Sequence, residues 1–341
     1  MTLRAASVPL SLLVTLGCVS PNATEQPASD GRYTMGTVLE ISLHGLESQL
    51  AARALDDLYE VAAELDGLLS VYQPDSETSR LNRTAGHGPQ RVDPTVAEVL
   101  RLSIAYSDLT QGAFDVTIGP LVALWEEAAA HNAMPTAAEL ADARSRVGSD
   151  KIDVGSDGAV SLAREGMQIN LGGIAKGHAL DRMLPLLDQH GVESALLNFG
   201  QSSTWARGAP PGSRGWRLLV RGPGGGFTGT IELRDQALSV SGSVGQWVEI
   251  GGRRYGHIID PRSGGLSTGQ RQAVVVAREA ALAEALSTAL LVLDAEAGLA
   301  VVAALPDCEG LLIEETGERH STPGWAAATR FEPLPAESGI Q

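Results

Sequence analysis

The chain has 341 residues, of which 43% are hydrophobic, so it can bury a large core and is not a disordered protein. Its formal net charge is −16, from 41 acidic and 25 basic residues. Such a surface repels nucleic acid, and we expect no nucleic-acid partner. An anionic ligand would need a local lysine, arginine, helix terminus or metal ion.

The N-terminus has the pattern of an export signal. Arg4 precedes an apolar stretch over residues 5–16, which is too short to span a bilayer as a mature helix. Leu16-Gly17-Cys18 follows and is similar to a lipoprotein signal, in which the cysteine carries the lipid. We therefore expect a signal peptide over residues 1–17, lipidation at Cys18 and a flexible tether over residues 18–30. The protein would then be extracytoplasmic and lipid-anchored on the periplasmic side of a membrane; a plain secretory peptide is the alternative.

The first half of the mature chain reads as one strand followed by helices. Alternating apolar residues predict a strand over residues 37–43, and helical spacing predicts a helix over residues 48–69. A second helix begins at Asp93-Pro94, an N-cap aspartate with proline at the first helical position. Thr136 caps a short third helix that ends near Gly148.

From residue 151 the pattern changes to short strands and turns. Asp157-Gly158 predicts a hairpin, and a short strand at residues 169–171 runs into two glycines and a helix. Later strands are predicted at about 194–198, 216–221, 227–234, 237–241, 246–250, 253–259, 271–277 and 310–315, with helices over 279–293 and 295–304. Strands grouped in hairpins, with helices set apart, indicate an α+β fold and not a doubly wound parallel sheet.

The most informative segment is Ile169-Asn170-Leu171-Gly172-Gly173-Ile174-Ala175-Lys176-Gly177. Glycine lets the backbone come close to a ligand, and the first N–H groups of a helix attract an anion. Lys176 adds a full positive charge. The segment therefore predicts a phosphate-binding site, with an ordinary tight turn as the alternative.

Three further positions carry groups suited to ligands or catalysis. Tyr72 follows a predicted helix and fits either a stacking surface or a half-buried packing position. Glu284 and Thr288 share one helix face, beside Ser287, and such oxygen donors suit magnesium or calcium. The alternative is a solvated glutamate beside a threonine that bonds its own helix. His257 closes a predicted strand and can take a proton near neutral pH.

Five ordered blocks together resemble the ApbE family, the FAD:protein FMN transferases. Besides the glycine segment they are Met35-Gly36-Thr37, Gly112-Ala113-Phe114-Asp115-Val116-Thr117-Ile118-Gly119-Pro120-Leu121, Tyr255-Gly256-His257-Ile258-Ile259-Asp260-Pro261-Arg262-Ser263-Gly264 and Ala283-Glu284-Ala285-Leu286-Ser287-Thr288. The resemblance covers roughly residues 30 to 315. It implies antiparallel, T-fold-like sheets with helices packed on a face, one transferase domain over residues 31–330, and a C-terminal tail over residues 331–341.

The resemblance also assigns the residues that contact the flavin. Met35 and Tyr72 would line the slot for the rings, and Asn170 would contact the cofactor. A loop of Ala113, Phe114 and Asp115 would contact the edges of the flavin or adenine ring through its backbone and carboxylate groups. From residue type alone, Phe114 also fits a core position and Asp115 a local turn.

The remaining roles concern the phosphates and a metal. Lys176 and His257 would lie at the FAD diphosphate, with His257 as candidate general base. The Gly173 carbonyl, the Glu284 carboxylate and the Thr288 hydroxyl would hold magnesium, or calcium, with Ser287 flanking them.

The chain departs from the family pattern at three places. Asn170 and Glu284 each stand where the family usually has aspartate, and Asn198-Phe199-Gly200-Gln201-Ser202 replaces Asn-x-Gly-Gly-Asp. The expected activity is magnesium-dependent transfer of FMN from FAD to a threonine or serine of a target flavoprotein, with release of AMP. The acceptor would be a flavin-accepting subunit of a membrane redox complex. FAD hydrolysis to FMN and AMP is one alternative, and a non-catalytic flavin-binding lipoprotein, favoured by the lost acids, is another.

Overall fold

A computed structural model describes residues 27–223, 226–242, 247–267 and 271–334. The helices are α1 (Ser48–Leu69), α2 (Glu77–Arg83), α3 (Pro94–Leu109), α4 (Gly119–His131), α5 (Ala137–Ser145), α6 (Ala175–Gln189), α7 (Ala280–Val292), α8 (Ala295–Ala303) and α9 (Trp325–Thr329). Within these residues, no helix combines the length and the hydrophobicity that a membrane span requires. The expected signal peptide and Cys18 lie outside the described residues.

The strands of the described residues form one large sheet and three small ones. In chain order they are β1 (Ala28–Thr34), β2 (Thr37–His44), β3 (Gln90–Arg91), β4 (Ile152–Val154), β5 (Ala159–Leu162), β6 (Ser194–Phe199), β7 (Ser203–Arg207), β8 (Trp216–Arg221), β9 (Phe227–Leu233), β10 (Gln236–Gly242), β11 (Trp247–Ile250), β12 (Arg253–Gly256), β13 (Gln272–Ala277), β14 (Glu309–Ile313), β15 (Arg319–Ser321) and β16 (Glu332–Pro333). The large sheet has the order β1-β2-β6-β7-β10-β13-β14-β15. Its neighbouring strands are all antiparallel, which confirms the α+β prediction.

The large sheet separates two hydrophobic layers because its strands alternate. On β2, Leu39, Ile41 and Leu43 are buried and belong to the largest core cluster, which also contains the apolar faces of α1, α6 and α7. On the opposite face, residues of β10, β13 and β14 pack with Trp216 and the small β16-β9-β8 sheet. Helices therefore cover one face of the sheet and a second sheet covers part of the other.

A third cluster fixes the loop that follows β12. Trp125 of α4 packs with Ile250 and Ile259, and its Nε1 donates to the Gly264 carbonyl over 2.9 Å. Asp260 N–H also donates to the Gly265 carbonyl, and Gly264 N–H to the Asp260 carbonyl. The loop of residues 257–265 is thereby held against α4.

Several sequence predictions of secondary structure are wrong in detail. Residues 169–171 are not a strand, because the Asn82 side chain bonds both the N–H and the carbonyl of Ile169. Helices α2 and α4 and strand β7 were missed, and β15 follows the strand expected to close the chain. The expected tether ends too late, since residues 28–30 pair with β2, and the expected tail, which starts at residue 331, includes β16.

Candidate functional site

Three separated segments meet at the N-terminus of α6. Asn170 N–H donates to the Val116 carbonyl over 2.7 Å, and Gly119 N–H donates to the Gln168 carbonyl over 3.2 Å. A Cβ placed on Gly173 would lie 3.2 Å from the Phe114 ring and 3.5 Å from Thr288 Oγ1. The glycine turn, the Ala113–Asp115 loop and α7 are therefore in mutual contact, as the resemblance implied.

The charged centre of this junction is an ion pair between α6 and α7. Lys176 Nζ lies 2.8 Å from Glu284 Oε1, with side chains only 20% and 5% exposed. The other carboxylate oxygen, Oε2, accepts the Gly177 N–H over 2.7 Å. Because both partners are largely withdrawn from water, each needs the other to offset the loss of hydration.

The glycine turn offers fewer free backbone donors than the sequence suggested. Gly172 N–H donates to Asn170 Oδ1 over 2.9 Å, and the N–H groups of Ile174 and Ala175 both donate to the Leu171 carbonyl. Gly177 N–H is engaged with Glu284. A phosphate group at this helix start would therefore depend mainly on the charge of Lys176.

Gly177 and Asp181 lock α6 against the start of α7. A Cβ on Gly177 would lie 2.4 Å from the Ala280 carbonyl oxygen, so only glycine permits this approach. Asp181 accepts the N–H groups of Ala280 and Ala281 over 2.7 and 2.9 Å and so caps the start of α7. This contact fixes the position of Glu284 one turn further along α7.

Asp181 makes the stability of this junction depend on pH. Desolvation raises the pKa of its carboxyl from 3.8 to about 7, although the two backbone hydrogen bonds act to lower it. The folded protein then binds the Asp181 proton more tightly than the unfolded chain does. Protonated Asp181 therefore makes its full contribution to the free energy of unfolding below about pH 4, and this contribution is lost as the pH rises to about 7.

Asp181→Asn should remove this dependence, because an amide does not titrate. We expect urea unfolding to show wild type losing stability relative to the variant between about pH 4 and pH 7. Parallel stability curves for the two proteins across that range would mean that Asp181 ionises normally in the folded state.

The expected metal donors are only partly brought together. Thr288 lies beside Gly173 on the face of α7 that carries Glu284, and its hydroxyl donates to the Glu284 carbonyl over 3.0 Å. Ser287 points away from these donors. Its fully buried hydroxyl is bonded to Ser239 and Ser241 of β10 at 2.9 and 2.8 Å, and therefore faces the sheet.

The Ala113–Asp115 loop is buried, and its carboxylate has a local role. Asp115 Oδ1 accepts from the N–H and hydroxyl of Thr117 at 2.8 and 2.6 Å, and Oδ2 accepts from Ser149 N–H at 2.8 Å. Burial raises the pKa of Asp115, while these bonds act to lower it. The Asp115 carboxylate therefore stabilises a local turn, which was the alternative role that its residue type suggested. Phe114 is a core residue whose ring also borders Gly173.

The two residues expected to line the flavin slot differ in exposure: Tyr72 is exposed and Met35 is partly buried. Tyr72 follows the end of α1 and is 87% exposed, so it is not a packing tyrosine and its ring is free to stack on a ligand. Met35 and Gly36 form the tight turn between β1 and β2 with φ values of 49° and 77°, and the Met35 side chain packs partly against the core.

His257 follows directly after β12 and is exposed. Its loop approaches the start of the Ala113–Asp115 loop through Arg262, whose Cγ would lie 3.6 Å from a Cβ on Gly112. Arg262 also binds both oxygens of Asp260, and Arg262 N–H donates to the same carboxylate, so desolvation is outweighed and the pKa of Asp260 is lowered. Asp260 therefore shapes the turn.

Two residues were missed as parts of the site. The signal for Asp181 is its position as an acidic residue directly after the buried run His178-Ala179-Leu180. For Asn82 the sequence carries no such signal. Among the described residues, no group of three or more histidine, cysteine, aspartate or glutamate side chains could hold a metal ion. Any metal here would depend on Glu284 together with hydroxyl, carbonyl and ligand oxygens.

Comparison with known proteins agrees with the geometry. The model of the ApbE family matches residues 35–312. An FAD:protein FMN transferase of Klebsiella pneumoniae is 30% identical over 316 residues, which cover 88% of this chain and 89% of the relative. An FAD:protein FMN transferase of Vibrio cholerae is 31% identical over 304 residues, covering 86% and 89%.

Solved structures show the same fold. The flavin transferase ApbE from Vibrio cholerae superposes with a TM-score of 0.77 at 26% identity, covering 89% of this chain and 99% of that one. The ApbE protein of Thermotoga maritima superposes with a TM-score of 0.80 at 25% identity, with the same coverage. The expected antiparallel architecture with helices on a face is confirmed.

Proposed function

The chain belongs to the ApbE family, and from that premise we propose that it transfers FMN from FAD to a threonine or serine of a target flavoprotein and releases AMP. The observation that carries the proposal is the junction at which Lys176, Glu284, Gly173 and Thr288 meet beside Phe114. It combines one cation for a diphosphate with hard oxygen donors and a close backbone approach.

These donors fit magnesium, or calcium, on chemical grounds. A carboxylate, a hydroxyl and a backbone carbonyl are oxygen ligands of the kind both ions prefer. Glu284, Thr288 and the Gly173 carbonyl would hold the ion, and Glu284 would first have to release Lys176. When bound, the ion would neutralise charge on the diphosphate as the pyrophosphate bond breaks.

The protein's own groups account for the remaining chemistry. The oxygen of the acceptor hydroxyl forms a bond to the FMN phosphorus, while the bond from that phosphorus to the bridging oxygen breaks and AMP leaves with that oxygen. His257 accepts the proton of the attacking hydroxyl. The Lys176 ammonium stabilises the negative charge that develops on the phosphate oxygens.

Separation of the nucleotide products distinguishes this activity from the alternatives. We expect the purified chain, incubated with FAD and magnesium, to release AMP only when an acceptor is present. AMP release without acceptor would support FAD hydrolysis. Calorimetric binding of FAD with no AMP under either condition would support a non-catalytic flavin carrier, in line with the departures at Asn170 and Glu284.

We also propose that the acceptor is a subunit of a membrane redox complex and that Cys18 carries a lipid on the periplasmic side. The support for the acceptor is membership of the family, and the support for the lipid is the Leu16-Gly17-Cys18 signal. Cys18→Ser should move the mature protein from the membrane fraction to the soluble extracytoplasmic fraction, because the anchor is lost. Recovery of wild type and variant alike in the soluble fraction would contradict the anchor.

A further inference from the structure

Lys176 and Glu284 neutralise each other's charge at the point where the divalent metal and the FAD diphosphate would bind. The carboxylate is 5% exposed and is held by Lys176 Nζ on one oxygen and by Gly177 N–H on the other. An unpaired buried carboxylate is costly, so it needs such partners. In this structure, the lysine therefore acts as the counter-ion of Glu284.

The same two side chains would be needed by the metal and the diphosphate. A divalent ion on Glu284 would place two positive charges beside the ammonium, which repels strongly in a partly buried site. Lys176 Nζ also donates to the Gly172 carbonyl over a longer distance of 3.3 Å, and Gly172 is exposed. The ammonium thus lies between the carboxylate and the exposed glycine turn, and can leave toward that turn.

The use of lysine here is informative because this chain avoids it. Lys151 and Lys176 are the only lysines in the sequence, and all the other strongly basic residues are arginines. A guanidinium grips a carboxylate through two parallel hydrogen bonds, whereas lysine is a single charge on a flexible stem. A cation that must release its carboxylate is therefore better provided by lysine.

We propose that Lys176 is an exchangeable counter-ion, which holds Glu284 in the free protein and moves to the FAD diphosphate when a divalent metal replaces it. This inference rests on the proposed function, since it requires FAD and a metal to meet at this junction. Metal and FAD then bind cooperatively, because each frees a group that the other needs. Without FAD, the lysine lowers the apparent affinity for the metal to the fraction of time that Glu284 is uncovered.

Titration of the FAD-free chain with Mn²⁺, followed by the electron paramagnetic resonance of the free ion, tests the exchange without turnover. If Lys176 covers Glu284 about nine-tenths of the time, Lys176→Met should bind Mn²⁺ roughly tenfold more tightly than wild type. Lys176→Gln keeps a donor for Glu284 without the charge and should also bind more tightly. If Lys176→Met does not fold, the Mn²⁺ affinity of Lys176→Gln tests the exchange in its place.

Two controls separate the exchange from a general change of charge. Lys151→Met removes the other lysine, which bonds the Val147 carbonyl, and should leave Mn²⁺ affinity unchanged. Lys176→Arg should bind Mn²⁺ no better than wild type, since the guanidinium holds Glu284 at least as firmly.

The outcomes distinguish a failure of the lysine exchange from a failure of the proposed function on which it rests. Equal or weaker Mn²⁺ binding by the folded methionine and glutamine variants would overturn the exchange and leave the metal site standing. Absence of Mn²⁺ binding by wild type, with or without FAD, would overturn the exchange together with the metal part of the proposed function. FAD calorimetry on the same samples would then report on the flavin part independently.

Discussion

Gly177→Ala is expected to lower the free energy of unfolding by about 3 kcal/mol, the upper end of the usual cost of overpacking. The added methyl would lie 2.4 Å from the Ala280 carbonyl oxygen and 2.7 Å from Ala281 Cα, and both are backbone atoms. Helix α6 must then move away from α7. That movement weakens the hydrogen bond from Gly177 N–H to Glu284 and the cap that Asp181 provides.

Gly67→Ala is the matched control for this substitution. Gly67 lies inside α1, and nothing lies within 4 Å of the position its Cβ would take. Alanine there should stabilise the protein by about 0.5–1 kcal/mol, because it reduces the freedom of the unfolded chain and favours the helix. Denaturant unfolding of the two variants measures both effects. A Gly177→Ala protein as stable as wild type would contradict the close approach of α6 to α7.

His257→Ala is expected to slow acceptor modification by about 10²–10⁴-fold, the usual effect of losing a general base. FAD affinity should change little, because the phosphate charge is met mainly by Lys176. His131→Ala is the matched control, since that side chain is 70% exposed at the end of α4. Steady-state rates with the acceptor and calorimetry with FAD give the two quantities.

Two results would remove His257 from the proposed mechanism. One is an unchanged rate of acceptor modification in the alanine variant. The other is a loss of FAD binding as large as the loss of rate, which would make His257 a binding residue and not a base.

Local patterns predicted the fold where neighbouring residues determine it. The alternation of Leu39, Ile41 and Leu43 defines β2, and Asp93 accepts the Thr95 N–H as the N-cap of α3. Helix α4 was missed because apolar residues lie on most of its sides, so it has no clear stripe. The strand expected at residues 169–171 failed for a different reason, since the N–H and the carbonyl of Ile169 both bond a distant side chain, that of Asn82.

The candidate site could be predicted as a set of segments but not as a set of contacts. The motifs identified the glycine turn, the Ala113–Asp115 loop and α7, and the structure brings these together. Sequence reasoning gave Lys176 to the phosphates and Glu284 to the metal, and had no means of pairing them across the chain. It also could not tell which face of α7 meets the sheet, where the Ser287 hydroxyl bonds Ser239.

The central claim is that this chain attaches FMN covalently to a protein. Its most direct test is the mass of a flavin-accepting subunit after incubation with the full chain, FAD and magnesium, followed by peptide mapping of the modified residue. We expect the acceptor to gain one FMN on a threonine or serine, with one AMP released for each FMN attached. An acceptor of unchanged mass, recovered from a reaction in which the chain has bound FAD, would contradict the claim.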